Sequence, residues 1–464
     1  MQSKITSPWQ ILPNWIHFSG IGGIATGQIA VAYLEKKYLV TGSDIGIYEP
    51  MASFLKQFPI QLKSGYSYSN LLLSSYTNNQ KDKYTLPGKV IALGGLAVNN
   101  KELLFALKRN LDIENFAQLL ERDLIVENSL VVAGSYGKST VTALLIKIFL
   151  KAELNISYMV GGITSDTERS VKLADKDTEY SIIEGDEYIS SRTDLQSKFF
   201  HYKPKYLILT GYAYDHSDIF KTKKEYYDNF AKLIALIPAN GFIVYNSKLK
   251  EITELVKSAR CKLLDCAQHI SYKTKLIGEY NQENIAAAIT AALELGISKS
   301  IALNAIAEFN GLKRRLEIVS SSPQLTIIDD FGSTPVKAQN VIASIRKKYP
   351  GANLIVVFEP NIGSRTETSL PEFQFSFIEA DHLLIPEFNN INQKGILDSN
   401  EFVTGLSRYY QNVSLISNTE LNNKLKDLLI PTGSNIIAFI SSHDVRTKID
   451  RFIEYMESSG NIRQ

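Results

Sequence analysis

Val131–Thr140, VVAGSYGKST, is the stretch whose reading decides the fold. It follows an apolar run ending at Ala133 that reads as a buried strand, and it precedes TVTALLIKIFLKAEL, whose apolar positions recur at helical spacing. A Gly-bounded turn between a strand and a helix is thereby predicted. Gly134 and Gly137 leave room for successive backbone N–H groups, including that of Ser135, to converge on a phosphate at the helix N-terminus. Lys138 would bring charge to the outer phosphates, and Ser139, followed by Thr140, would bring a hydroxyl ligand for Mg²⁺. A full phosphate loop carries one more Gly, where this chain has Val132, so the loop is a short variant. An ordinary turn containing a Lys is the competing reading, and the strand, turn and helix context weighs against it.

The chain around this loop has 464 residues, enough for about three domains at roughly 150 residues each. Lys plus Arg (50) nearly balances Asp plus Glu (48), which leaves no global field for nucleic acid or an anionic membrane. Any phosphate binding must therefore be local. Cys261 and Cys266 fit neither a zinc pair nor a redox C-x-x-C pair and read as reduced thiols of a cytoplasmic protein. No apolar run approaches the ~18 residues of a membrane span, and the first fifteen residues lack the apolar centre of a signal peptide.

Upstream of the loop, Ile16–Ser19 reads as a strand that opens into Gly20-Ile21-Gly22-Gly23 and a helical pattern through Leu34. A second strand from Tyr38 ends in Thr41-Gly42-Ser43-Asp44. This is the start of a Rossmann-like βαβ unit, in which glycines admit a diphosphate and the acidic residue after the second strand meets a ribose or base. The glycine spacing departs from G-x-G-x-x-G, so a nucleotide diphosphate fits as well as a dinucleotide. KVIALGG (89–95) is a further strand, and the first domain is expected to end near residue 126.

Downstream, the strand in YSIIEGDEY delivers Glu184, Asp186 and Glu187 at its carboxyl end, the edge at which open α/β sheets bind ligands. Carboxylates there are placed to hold Mg²⁺ against phosphates, with a solvated acidic loop as the alternative. The strand Tyr206–Thr210 brings Asp215 and His216 to the same edge, where His216 is a candidate metal or phosphate contact. Asn281 and Asn284 fall in the first turn of an Ala-rich helix, as caps or ligand contacts. Lys313, Arg314 and Arg315 mark an interdomain joint whose arginines can be swung onto phosphates. A third strand–helix alternation then opens with a strand ending in Asp329-Asp330 and with Pro335 in the first turn of a helix; ANLIVVFEP follows, with Glu359 at its end and Ser364 and Arg365 beyond.

In their order along the chain, GIGG, TGSD, GSYGKST, EGDEY, YDH, GEYNQEN, LKRRLE and DDFGSTP resemble the blocks of the Mur ligases, ATP-dependent enzymes that build the peptide of bacterial cell-wall precursors. The resemblance implies an α/β protein of three domains. These are an N-terminal Rossmann-like domain over 1–126 for the UDP-sugar, a central P-loop ATPase-like domain over 127–312, and a C-terminal Rossmann-like domain over 313–464 for the amino acid or peptide. ATP and Mg²⁺ are the implied cofactors, and an acyl phosphate the implied intermediate. In this scheme Gly20, Ile21, Gly22, Gly23, Ser43 and Asp44 hold the UDP end, while Gly134, Ser135, Gly137, Lys138, Ser139 and Thr140 hold the ATP phosphates. Ser139, Glu184 and His216 hold Mg²⁺, Asn281 and Arg315 meet the adenine side and the phosphates, Asp330 meets the ribose, and Lys337 and Arg365 lie near the incoming amine. EGDEYISSRTDLQSKFFHYKP resembles the branch that joins UDP-N-acetylmuramate to the tripeptide L-alanyl-γ-D-glutamyl-meso-diaminopimelate in cell-wall recycling, with the L-alanine-adding branch as the alternative. The resemblance implies a cytoplasmic monomer or homodimer.

Three positions depart from the family pattern: Tyr136, Tyr280 and Ser333 stand where the family carries His. None is a phosphate or metal ligand in this scheme, so a working enzyme is expected. A non-catalytic UDP-sugar-binding homologue is the second class to weigh, and a dinucleotide-dependent oxidoreductase, which rests on the first βαβ unit alone, is the third.

Overall fold

A computed structural model of the chain describes residues 9–48, 51–77, 80–93, 95–97, 99–162, 164, 169–212, 220, 222–267, 271–388, 395–443 and 445–458. They carry three sheets in two compact units, one of Met1–Thr274 with Gln282–Phe309 and the other of Lys275–Asn281 with Asn310–Gln464.

In the first unit, strands β1 (Trp9–Ser19), β2 (Leu39–Asp44), β3 (Gln61–Ser64), β4 (Leu73–Thr77), β5 (Gln80–Ala92) and β6 (Asp112–Asn115) form a sheet of order β3-β2-β1-β5-β4, with β6 also on β5. All pairs are parallel except β4 with β5. Helices α1 (Ile24–Glu35), α2 (Met51–Leu55), α3 (Lys101–Lys108) and α4 (Phe116–Asp123) accompany it. The expected strand at 16–19 is only the buried end of β1. Its first residues, Trp9–Leu12, pair with Tyr84–Pro87 beyond a register shift between Leu12 and Ile16, a stretch whose Pro13 and Asn14 interrupt the apolar pattern that would have announced one long strand.

The second sheet contains β7 (Ser129–Ala133), β8 (Ile156–Met159), β9 (Val171–Lys172), β10 (Tyr180–Glu184), β11 (Tyr206–Leu209), β12 (Phe242–Tyr245) and β13 (Lys262–Asp265), ordered β13-β12-β11-β7-β10-β8-β9. Only β9 runs antiparallel to its neighbour. β7 lies in the middle and every residue of it is buried, as a parallel strand covered on both faces requires. Helices α5 (Lys138–Lys151), α6 (Lys223–Ala235), α7 (Lys250–Val256), α8 (Tyr280–Glu294) and α9 (Lys299–Glu308) follow. One continuous apolar core joins this sheet to the first, through residues such as Phe18, Leu120, Val131 and Leu207. In the stretch SKFFHYKP, Phe199 and Tyr202 are fully buried, and His201 contacts Glu121 of α4 (3.0 Å) and Asp194 (2.7 Å). The stretch fastens the strand edge of β10 to the helical layer of the first sheet. Cys261 and Cys266 are free thiols.

The second unit carries β14 (Glu317–Ser321), β15 (Leu325–Asp330), β16 (Asn353–Glu359), β17 (His382–Pro386), β18 (Val413–Ile416) and β19 (Asn435–Ser441), ordered β14-β15-β19-β16-β17-β18. Only β14 is antiparallel. Its helices are α10 (Pro335–Lys348), α11 (Ser399–Leu406), α12 (Leu421–Asp427) and α13 (Arg446–Ser458). Pro335 occupies the first turn of α10, where its missing N–H has no intrahelical partner to lose. Among the described residues no helix is long and apolar enough to cross a membrane.

Candidate functional site

The loop after β7 has the shape its glycines predict. Gly134 has φ +141°, and a Cβ there would lie 2.6 Å from Thr210 Oγ1 and 2.7 Å from the Gly211 carbonyl. Gly137 caps α5 at φ +79°, with Asn284 Oδ1 2.5 Å from where its Cβ would be. Any other residue at either position would strain the backbone and displace the neighbouring strand or helix. The Ser135 amide is fixed by the Gly211 carbonyl at 3.0 Å. The α5 N-terminus, with no acidic side chain in its first turn, presents its unpaired amides and positive dipole end at this turn.

Two charged contacts converge on the loop. Lys138 Nζ donates to the Gly134 carbonyl (2.6 Å) and to both oxygens of Glu187 (3.0 and 3.1 Å), a carboxylate 1% exposed. Ser139 Oγ donates to Glu184 Oε1 (2.8 Å), whose other oxygen accepts from the Gly161 amide (2.7 Å). Ser139 and Glu184, expected as metal ligands, therefore lie side by side, a hydroxyl and a carboxylate of the hard-oxygen type that Mg²⁺ takes. Asp186 takes a different part. Burial would raise its carboxyl, but Lys198 at 2.6 Å and the Tyr188 amide at 2.9 Å outweigh burial and leave it below the usual carboxylate range. Among the described residues no three His, Cys, Asp or Glu side chains group as a metal site. His216 and Asp215 lie outside the described residues. Tyr136 is 45% exposed, and its ring lies 2.3 Å from where a Cβ on Gly211 would sit.

At the first sheet, the amides of Gly20 and Ile21 donate to the Ser43 carbonyl (2.8 and 3.1 Å), and the Gly22 amide donates to Asp44 Oδ2 (2.8 Å). Gly23 is the N-cap of α1. The six expected UDP-contact residues are thus brought to one turn. Ile21 and Ser43 are fully buried, backbone included, and the Ile21 amide is already given to the Ser43 carbonyl, so they shape the turn from within. The residues that organise this turn, Glu102 and His17, were not singled out from the sequence. Glu102 reads there as an acidic first-turn residue behind the Asn100 cap, and that signal does not separate it from any other helix start.

The second unit holds the remaining candidates. Asn281, 6% exposed, donates from its side chain to the Ile277 carbonyl (2.7 Å). Both oxygens of buried Asp330 accept backbone amides, from Leu316 and Gly332, each at 2.7 Å; burial pushes its carboxyl up, opposed by Arg315 and those amides. Arg315 is exposed beside the Phe331 ring, and Lys337 is exposed in the first turn of α10. Ser333 is 3% exposed. Arg365, 2% exposed, lies 3.9 Å over the Phe388 ring and donates to the Pro360 carbonyl (3.0 Å). Its guanidinium is enclosed rather than presented to solvent.

Asp329, next to Asp330 at the end of β15, gives a pH signature. It is fully buried, its Oδ2 has no hydrogen-bond partner among the described residues, and Arg314 Nε stands 3.5 Å from Oδ1. Burial pushes its carboxyl up to about 6, with Arg314 opposing and Glu317 adding. A folded value above the unfolded ~3.9 means that the folded state binds the extra proton between about pH 4 and 6, so stability rises as pH falls through that window and is lower above it. The denaturation midpoint of the protein is therefore expected to gain at pH 5.5, relative to pH 7.5, by an amount that Asp329→Asn removes. Identical pH profiles for the two proteins would contradict this account.

A fully buried parallel strand, a Gly-bounded loop bearing Lys and Ser on a helix N-terminus, and a carboxylate at the end of the neighbouring strand β10 define an α/β protein of the P-loop class. Residues 132–269 match the Mur ligase middle domain. The chain is 30% identical over 373 residues to the UDP-N-acetylmuramate–L-alanyl-gamma-D-glutamyl-meso-2,6-diaminoheptandioate ligase of Escherichia coli, spanning 74% of this chain and 78% of that one. It is 26% identical over 475 residues to the UDP-N-acetylmuramate–L-alanine ligase of Desulforapulum autotrophicum, spanning 95% and 98%. Its fold matches the crystal structure of a murein peptide ligase from Psychrobacter arcticus with a TM-score of 0.67 at 22% identity, over 97% of this chain and 99% of that one. The chain belongs to the Mur ligase family.

Proposed function

We propose that this protein is an ATP-dependent ligase that joins the carboxylate of UDP-N-acetylmuramate to the amine of L-alanyl-γ-D-glutamyl-meso-diaminopimelate in cytoplasmic cell-wall recycling. The observation that carries the reading is the phosphate loop, where Lys138 and the Ser139–Glu184 pair converge on the end of one helix. A carboxylate does not acylate an amine directly, because its leaving group would be an oxide. Transfer of the ATP γ-phosphoryl group gives an acyl phosphate, from which the amine displaces phosphate. Such a transfer needs positioning and charge neutralisation more than covalent help from the protein.

In this reading the amides of the α5 N-terminus and Lys138 hold the nucleotide phosphates, and Ser139 and Glu184, with His216, hold Mg²⁺. Mg²⁺ would supply charge neutralisation at the phosphates. The turn at Gly20–Gly23 with Asp44 takes the UDP end, in a domain over 1–126. Asn281, Arg315 and Asp330 serve the nucleotide, and exposed Lys337 the amine side, with Arg365 acting there only from its enclosed position under Phe388, from the joint after 312 and the C-terminal domain. The E. coli relative's printed name and the SKFFHYKP stretch support the tripeptide as amine. The near-complete span shared with the D. autotrophicum relative favours L-alanine as the second reading.

Phosphate release with ATP, Mg²⁺ and UDP-N-acetylmuramate, with tripeptide or L-alanine added in parallel, tests the choice. Release with the tripeptide and not with L-alanine is expected. Release with L-alanine alone would move the protein to the other branch, and release with neither would point to an altered amine substrate or a binding protein.

A further inference from the structure

We propose that Glu102 is a positioning residue for the UDP-sugar turn, a role that rests on the ligand reading given above for that turn. Its carboxylate is completely buried. Oε2 accepts from Ser19 Oγ (2.6 Å) and Ser43 Oγ (2.7 Å), with His17 Nε2 at 3.4 Å; Oε1 accepts from Asn70 Nδ2 (2.6 Å) and the Ser67 amide (3.3 Å). Ser19 and Ser43 face each other in register across β1 and β2, and each immediately precedes a ligand candidate, Gly20 and Asp44. One carboxylate oxygen therefore holds together the two strand ends from which the turn is hung. The other oxygen holds the Ser67–Leu71 segment against the same point.

The surrounding sequence is built for this. Trp15, His17 and Ser19 alternate along one face of β1 and meet Thr41 and Ser43 on β2: Trp15 Nε1 donates to Thr41 Oγ1 (2.9 Å), and His17 Nδ1 lies 2.7 Å from the same oxygen. The result is a polar stripe in a place where parallel strands ordinarily carry Val, Ile or Leu. A buried carboxylate costs several kcal/mol unless its lone pairs are met, and well-packed apolar residues would serve stability as well. Here the hydrogen bonds meet that cost: burial alone would raise the carboxyl, yet His17 and the two serines hold it down to about 2. What a carboxylate supplies and an apolar residue does not is a fixed spacing between Ser19 and Ser43. The Gly20 and Ile21 amides depend on that spacing, since both donate to the Ser43 carbonyl.

Glu102→Gln keeps the volume but replaces one acceptor oxygen with an N–H donor. It is expected to weaken UDP-N-acetylmuramate binding, and to raise its KM, by about tenfold, the low end of the scale seen when a residue that orients a metal ligand is lost. ADP affinity and kcat at saturating UDP-sugar should stay at the wild-type level. A general loss of structure would lower the melting temperature and both affinities together, so the ratio of the two dissociation constants, measured by calorimetry well below melting, separates positioning from plain stability. Ser19→Ala, which deletes one hydroxyl, covers the case in which Glu102→Gln does not fold; a several-fold rise in the UDP-sugar KM is expected. A folded variant with unchanged UDP-sugar affinity overturns the proposal. Wild-type protein that binds ADP but no UDP-N-acetylmuramate overturns the ligand reading instead, so the two failures are distinguishable.

Discussion

Lys138→Ala is expected to abolish ADP formation while leaving UDP-N-acetylmuramate binding intact. Lys138 is the cation of the loop, held 2.6 Å from the Gly134 carbonyl and against Glu187. Loss of such a preorganised charge at a transferring phosphoryl group costs on the order of 10³-fold or more in rate. The substitution also leaves Glu187, 1% exposed, without this cation, so a loss of about 1–3 kcal/mol in stability is expected alongside. The turn proposed for the UDP end lies on another sheet, at the ends of β1 and β2, and among the described residues none of its hydrogen bonds runs to Lys138. Calorimetric titration with UDP-N-acetylmuramate, beside an ADP-release assay, separates the two. Equal loss of both would sink the assignment of the sites to different sheets.

Glu184→Gln is expected to have the second largest effect, read as a shift in the Mg²⁺ requirement. The amide is close in shape to the carboxylate and can still pair with Ser139 Oγ or the Gly161 amide, so the fold is retained. What would be lost, if Glu184 holds the proposed Mg²⁺, is a full negative charge beside that cation, worth about 4 kcal/mol per unit charge at 4 Å with an effective dielectric near 20. The Mg²⁺ concentration for half-maximal activity should rise about 10²-fold or more, with a lower maximal rate. An unchanged Mg²⁺ titration would remove Glu184 from the metal site.

How much of this was legible in the sequence depended on whether a residue acts through its neighbours in the chain or across it. β7, its loop and α5 were readable because strand burial, the two glycines and the helical period all lie within about twenty consecutive residues, and each constrains the next. Pro335 at the head of α10 was readable for the same reason. β3 and β6 were not, since QLKS and DIEN carry no apolar alternation and become strands only by pairing with β2 and β5. The site shows the same division. Ser139 with Glu184 was foreseen because both follow strands of one parallel sheet. Lys138 with Glu187, Asp330 with the Leu316 amide and Glu102 with two serines were not, because each is a partnership fixed by packing. The enclosure of Arg365, expected near the incoming amine, by Pro360 and Phe388 is likewise a matter of packing that no local pattern announces.

The Lys138–Glu187 pair bears on how a nucleotide would be taken up. A bare lysine at the loop would attract anions through an open field that added salt weakens steeply. Here the cation is already neutralised from within, and most of the pair is shielded from water. An arriving phosphate would then exchange one partner for another, and the side chain's conformational freedom has been given up before the encounter. Nucleotide uptake on these terms would be only weakly sensitive to ionic strength, and selection among anions would rest on the shape of the amide-lined turn more than on long-range attraction.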